Sequence, residues 1–176
     1  EIEALEGYIG ASGAFKTNYL INGGFDFYHL LVTPTTLTAV ASDKYGPDRW
    51  RVSWSTDTLQ VAQGDGSTDT ALTSQNYGIF KQVTNSSKSM IYQIVPHNWT
   101  QTLKGKSVNF QVKMKASGAK TIRMGIIELA AAGTADAVPA TFVTAWGAAT
   151  QDPTLGANLA IVTGAESKSV TTSWQT

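Results

Sequence analysis

The stretch "YGPDRWRVSW", Tyr45 to Trp54, decides the fold class because its side chains alternate as in a half-buried strand. Successive side chains of a β-strand point to opposite faces, so Trp50, Val52 and Trp54 share one face while the arginines take the other. Pro47 marks the turn that leads into the strand, since proline lacks the N–H that a strand interior requires. We therefore predict a strand with Trp50 anchored in the core.

Short β-branched or aromatic segments separated by turn residues continue this pattern along the chain. They cover residues 18–22, 24–32, 49–54, 77–83, 89–95, 107–116, 120–129, 141–146 and 158–163. Helical periodicity is not sustained beyond the N-terminus, and strands at this spacing are typical of sandwiches. The sequence predicts an all-β fold, an antiparallel β-sandwich of the jelly-roll type.

Residues 107–129 contain the clearest hairpin pattern. Val108, Phe110, Val112 and Met114 alternate with polar residues, and after the turn "SGAK" the alternation resumes at Ile122. One apolar face and one polar face are the pattern of antiparallel strands lying on a core. We predict that the two segments pair with each other.

The first seventeen residues differ from the rest of the chain. Ile2, Leu5 and Ile9 follow at three- and four-residue spacing, which predicts a short helical or stalk segment over 1–17, the alternative being a frayed terminus. So short a helix does not persist alone, so we expect a homotrimer with these side chains near its axis. We predict that residues 18–176 form the sandwich module. The run "SVTTSWQT" has the alternation of a strand that continues past Thr176, which predicts truncation at the C-terminus.

Composition limits the classes of partner. The chain has 176 residues, of which 42% are hydrophobic and 15% charged, with thirteen basic and thirteen acidic residues. Because the charges balance, the chain has no net positive charge to attract nucleic acid or an anionic membrane surface. Cysteine is absent, so thiolate nucleophiles, disulfides and cysteine zinc sites are excluded. Without an apolar run of about 18 residues, we predict no membrane insertion.

Three stretches in order resemble a known family. They are "NYLINGGFDFYHL", "YGPDRWRVSW" and "IYQIVPHNWTQTLKGKSVNFQVKMKA". Together, over residues 18–174, they resemble a β-sandwich module of bacteriophage tail-fibre, tail-spike and other virion appendage proteins. That module is similar to galactose-binding-like jelly rolls and to family 4/9 carbohydrate-binding modules. The resemblance implies location on the virion surface, contacts with other virion proteins and binding of a host-surface polysaccharide, and leaves tail or capsid open.

Catalysis is not predicted. The two histidines, His29 and His97, lie outside any G-x-S-x-G motif, and acyl transfer needs a nucleophile beside its base. Glycoside cleavage needs two paired carboxylates, which the sequence does not identify among Asp26, Asp48 and Glu128. We expect Asp48 to make a turn or an ion pair at the strand entrance, and the protein not to be an enzyme.

Neither a cofactor nor a metal site is predicted. The loop "GDGSTD" has Asp65, Ser67 and Asp69 at alternate positions, but it lacks the distal glutamate of an EF-hand calcium loop. The resemblance to carbohydrate-binding modules nominates Asp26 for a structural calcium. Whether calcium lies near Asp26 or Asp65 stays open at this point.

Four residues are the candidate ligand-binding set. Sugar recognition uses flat aromatic faces with polar neighbours, and Trp99, Trp146 and Tyr77 lie near turns beside amide side chains, with His97 next to Trp99. The alternative for each is a loop anchor on the sandwich rim. The leading expectation is a non-enzymatic virion appendage module, a tail or head fibre, for glycan binding or assembly. The alternatives are a purely structural capsid-decorating protein and a carbohydrate-binding module of a secreted glycosidase.

Overall fold

The computed structural model of the chain describes residues 18–29, 31, 33–56, 58–72, 74–83, 88–129, 141–148, 151–162 and 166–176. The predicted stalk, 1–17, lies outside the described residues. The chain divides into two compact units, Glu1–Val112 and Lys113–Thr176. Among the residues described, no helix has the length and apolar character needed to cross a bilayer.

The first unit contains six strands in two antiparallel sheets. The strands are β1 Thr38–Val40, β2 Lys44–Tyr45, β3 Trp50–Trp54, β4 Leu59–Asp65, β5 Asn76–Gln82 and β6 Ser89–Gln93. Their order is β1-β4-β5 in one sheet and β2-β3-β6 in the other. After β6 come a short helix, α1 His97–Thr100, and a 3-10 turn, Gln101–Leu103.

The second unit consists of two-stranded antiparallel ribbons. The strands are β7 Lys120–Met124, β8 Ile127–Leu129, β9 Val143–Ala145, β10 Thr154–Leu155, β11 Leu159–Ile161 and β12 Glu166–Val170. They pair as β7 with β12, β8 with β11 and β9 with β10. Strands in antiparallel sheets with only short helical turns confirm the all-β prediction, while a single sandwich over 18–176 stays a prediction.

The core of the first unit takes residues from both of its sheets. Val52 of β3 and Val61 of β4 are fully buried, and Leu59 is 2% exposed. Tyr28, Leu31 and Val40 complete the same cluster. Trp50 is 6% exposed, which confirms that this tryptophan is a core residue. Its strand therefore stabilises the unit mainly by removing apolar surface from water.

The predicted hairpin over 107–129 is wrong. Segment 120–124 is a strand, but β7 pairs with β12, with Ile122 opposite Lys168. Residues 107–113 are not in a strand, and Met114 makes only an isolated bridge with Gln175. Alternation is a local property of the chain, whereas the choice of partner strand depends on long-range packing, which here favours the segment that ends at Val170.

The described residues of the predicted strands 18–22 and 24–32 are not in strands, contrary to the prediction. Asn22 and Phe25 have φ values of 54° and 56°, which a β-strand does not accommodate. Strand β4, whose apolar residues belong to the core, is not among the predicted strands. Its second half reads "AQGD", and Gly64 in that stretch is a residue typical of turns.

Gly64 has a packing role that explains its place in β4. A Cβ at this position would lie 2.3 Å from atoms of the Tyr77 ring, and the two residues are opposite each other in the β4–β5 register. The ring of Tyr77 thus covers the glycine backbone, as aromatic residues do beside glycine in sheets.

Gly64→Ala is expected to lower the free energy of unfolding by about 1–3 kcal/mol, because the new methyl group overpacks the Tyr77 ring. Urea denaturation measures this cost. In a Tyr77→Ala background the same change should cost less, since the ring is gone. Equal costs in both backgrounds would show that Tyr77 is not the residue that excludes a side chain from position 64.

Candidate functional site

His97 and Trp99, two of the four predicted ligand-binding residues, lie together on α1. Trp99 is 41% exposed, and its backbone N–H donates to the Pro96 carbonyl at 3.0 Å. The Gln101 amide lies 3.0 Å from His97 Nε2. Because an amide nitrogen can only donate, His97 Nε2 accepts this bond. His97 is therefore hydrogen-bonded to the 3-10 turn that follows α1, and it is exposed together with Asn98 and Trp99.

Tyr77 and Trp146 lie elsewhere. Tyr77 is in β5, half-buried, with its ring over Gly64. Trp146 belongs to the second unit, directly after β9, and is half-buried. Of the four residues, His97 and Trp99 share an element, whereas Tyr77 lies in β5 and Trp146 follows β9.

An aromatic surface not predicted from the sequence lies on the loop before β1. Phe27 is 58% exposed, and the His29 side chain is 79% exposed. Their ring centroids are 6.2 Å apart and the ring planes differ by 4°, so the rings are parallel. We call this pair, Phe27 and His29, the aromatic platform. An exposed pair of parallel rings offers flat faces on which a ligand can stack.

Asp48, at the entrance of β3, orients the histidine of the platform. Its Oδ2 contacts His29 Nδ1, and its Oδ1 accepts the His29 backbone N–H at 2.9 Å. A carboxylate beside Nδ1 favours the proton on that nitrogen and leaves Nε2 for a ligand. The predicted turn at Asp48 is confirmed, since the Trp50 backbone N–H donates to the Pro47 carbonyl at 2.9 Å across it.

Asn22 fixes the backbone that carries the platform. Its Nδ2 donates to the carbonyls of Phe27 and Asp48, each at 3.0 Å. Its Oδ1 accepts the N–H groups of Asp26 at 2.7 Å and Phe27 at 3.1 Å. Its own carbonyl accepts the indole N–H of Trp50 at 3.0 Å. One side chain therefore holds both backbone polar groups of Phe27.

Backbone strain is concentrated around the platform. Asn22, Phe25 and Arg49 have φ values of 54°, 56° and 70°, and a positive φ is rare for a bulky residue such as phenylalanine. Packing holds Phe25 in place, since its ring lies 5.2 Å from that of Trp50 and 5.7 Å from that of Phe80. Strained residues held by surrounding structure cluster at functional sites. The loop is therefore a candidate site on backbone geometry as well as on exposure.

Asp26 supplies a carboxylate next to the platform. It is exposed, and its Oδ1 accepts the Asn76 amide at 2.8 Å. Gln63 donates to the carbonyls of Phe25 at 2.9 Å and Asp26 at 3.1 Å. A carboxylate held in this way offers hydrogen-bond acceptors to the hydroxyl groups of a ligand.

Asp65, the other residue considered for calcium, makes a local turn. Its Oδ1 accepts the Ser67 N–H at 2.8 Å, and these hydrogen bonds to Ser67 hold the pKa of the Asp65 carboxyl below its usual value. In the described part of the chain, no group of three or more histidine, cysteine, aspartate or glutamate residues is placed to hold a metal ion.

Two signals in the sequence point to the platform. Asn22-Gly23 is a dipeptide typical of positive φ, and Phe27 and His29 are two residues apart, a spacing that puts side chains on one face of an extended segment. Neither signal says that the face is exposed. The whole chain matches no family model, no curated protein and no solved structure.

Proposed function

We propose that the protein is a non-enzymatic glycan-binding module of a bacteriophage virion appendage, and that the aromatic platform is its sugar contact. The observation that carries this proposal is the exposure of two parallel rings on a backbone that Asn22 and Asp48 hold by hydrogen bonds. Exposed aromatic rings do not stabilise the fold. A ligand binds more tightly to rings that hydrogen bonds already hold in place, because less conformational entropy is lost on binding.

The chemistry of the platform suits a pyranose ring. The apolar C–H face of a sugar stacks on flat aromatic rings, while its hydroxyl groups need acceptors and donors at the edge. His29 Nε2 and the Asp26 carboxylate are such acceptors. Asp48 already binds both the ring and the backbone of His29. The His29 side chain therefore loses little conformational entropy when a ligand binds.

The assignment to a virion appendage is supported by the two motifs that carry the resemblance. Asn22 of "NYLINGGFDF" accepts a hydrogen bond from Trp50 of "DRW" and donates one to the Asp48 carbonyl. The residues that make the sequence resemble this family therefore contact each other. Appendages present several copies, here a homotrimer on the virion surface, so weak sites with millimolar to micromolar dissociation constants, roughly −4 to −8 kcal/mol, become useful through avidity.

Phe27→Ala is expected to reduce binding in a panel of host-surface oligosaccharides at least tenfold, because it removes about half of the stacking face. The free energy of unfolding should change by less than about 0.5 kcal/mol, since the side chain is largely exposed. Isothermal titration or glycan-array binding gives the first quantity and urea denaturation the second. Added salt should change affinity little, because binding rests on stacking and hydrogen bonds.

Trp99→Ala is the matched control, an exposed aromatic residue on a different element. If Trp99→Ala abolishes binding and Phe27→Ala does not, the sugar site is on α1, as the sequence predicts. If the parent binds no glycan in the panel, glycan recognition is wrong and the purely structural capsid-decorating role takes its place.

A further inference from the structure

Residues 104–112, which we call the open segment, have the pattern of a strand but the exposure of a surface peptide. Every residue from Lys104 to Gln111 is exposed, and Val112 is half-buried. The exposed residues include Val108 at 40% and Phe110 at 37%. An apolar pair on such a segment is surface that the described chain does not cover.

Most of the backbone of the open segment makes no hydrogen bond within the described residues. Lys106 donates to the Leu103 carbonyl at 2.9 Å, but no backbone hydrogen bond joins residues 107–112 to any other described residue. Residues 106–112 have no positive φ, but Gly105 has a φ of 70° and lies in the turn that the Lys106 N–H closes. Pairing that includes Lys104 therefore requires this turn to extend, which glycine allows without a steric cost. Unpaired N–H and C=O groups beside alternating apolar side chains are a template for an added strand.

Charge indicates the kind of strand that fits. Between Asp69 and Glu128 the sequence contains eight basic residues and no acidic one, although the whole chain is neutral. Lys104 and Lys106 belong to this basic stretch. In a strand conformation their side chains lie on the same face as Val108 and Phe110, because all four occupy even positions.

We propose that the open segment is a β-addition site for an acidic extended segment of a partner protein. In an antiparallel pairing, the partner places apolar residues opposite Phe110 and Val108 and acidic residues opposite Lys106 and Lys104. Cross-strand apolar pairs and opposite charges then stabilise the contact on one face, and main-chain hydrogen bonds extend along the segment. A second copy of the open segment is a poorer partner, since it brings two more lysines without an acid.

The site is tested with a synthetic nine-residue peptide of sequence VTITVTETE, which has this register. Fluorescence anisotropy with the full chain should detect binding, and the peptide VTITVTKTK should bind roughly tenfold more weakly. Reversing both charges, Lys104→Glu with Lys106→Glu, should exchange the preference between the two peptides. Both lysines are exposed, so these variants should unfold at the same urea concentration as the parent.

Hydrogen exchange separates strand addition from simple charge attraction. The amides of residues 107–112 should exchange rapidly in the free protein and slow down when the acidic peptide is added. A version of the peptide with N-methyl groups on alternate residues keeps the charges but loses hydrogen bonds, and should not bind.

Four results would each overturn the proposal. Equal binding of the N-methylated peptide, or binding that leaves exchange at 107–112 unchanged, would mean that the lysines only attract anions. Equal binding of the acidic and basic peptides would mean that charge does not select the partner. Slow, concentration-dependent exchange of these amides in the free protein would mean that a second copy of the chain covers the segment.

Discussion

Trp50→Ala is expected to lower the free energy of unfolding by about 3–5 kcal/mol, the range for removing a large aromatic side chain from a core. The indole is 6% exposed and stacks at a tilt against Phe25, 5.2 Å away. Its N–H also donates to the Asn22 carbonyl, so the substitution leaves a polar group in the loop without its partner. The cavity and the lost hydrogen bond act in the same direction.

Urea denaturation followed by circular dichroism measures this loss. Trp99→Ala removes the same side chain from an exposed position and should change the free energy of unfolding by less than about 1 kcal/mol. Trp50→Phe keeps a ring in the core but loses the N–H, so its loss in the free energy of unfolding should lie between those of Trp50→Ala and Trp99→Ala. If Trp50→Ala and Trp99→Ala unfold alike, Trp50 is not a core residue.

Asn22→Ala is expected to lower the free energy of unfolding by about 3 kcal/mol in all, to which four largely exposed side-chain hydrogen bonds contribute about 0.5 kcal/mol each, the low end of the usual range. The bonds join Asn22 to Asp26, Phe27 and Asp48. A second contribution comes from the backbone, since φ at this position is 54° and alanine adopts that value at a cost of about 1 kcal/mol.

Asn22→Gly separates the two contributions. Glycine adopts a positive φ freely, so this variant loses the side-chain bonds alone and should be more stable than Asn22→Ala by about 1 kcal/mol. Thermal unfolding of the three proteins gives the comparison. Both variants should also bind glycan less well than the parent, because Phe27 loses its anchors. An Asn22→Gly protein less stable than Asn22→Ala would contradict the backbone argument.

Sequence patterns predicted β3, β5 and β6 well because each is a short β-branched or aromatic segment between turn residues. They predicted the partner of β7 wrongly, since alternation in residues 107–116 is independent of which strand lies beside it. The core strand β4 was not predicted. Gly64 is typical of turns, and its packing under the Tyr77 ring becomes evident only when β5 lies beside β4.

The candidate site was predictable in part. Exposure of Trp99 on a turn-like helix agrees with the sequence, and Trp50 is buried as expected. The platform was missed because Phe27 lies in a segment that reads as a buried strand. Its exposure depends on the backbone turns at Asn22 and Phe25, and a positive φ at a phenylalanine is set by tertiary packing, which no local pattern encodes.

The hydrogen bonds that hold the loop before β1 also determine when it can form during folding. Ile21 exchanges two hydrogen bonds with the Gln93 side chain, 72 residues away, and Asn22 reaches Asp48 across 26 residues. Contacts at such separations carry a large loop-closure entropy and form late. In a chain that still lacks β6, the hydrogen bonds between Ile21 and Gln93 are absent, and the loop that carries Phe27 and His29 is less firmly held. If the aromatic platform binds a ligand as we propose, chains that end before β6 should bind it more weakly than the complete chain.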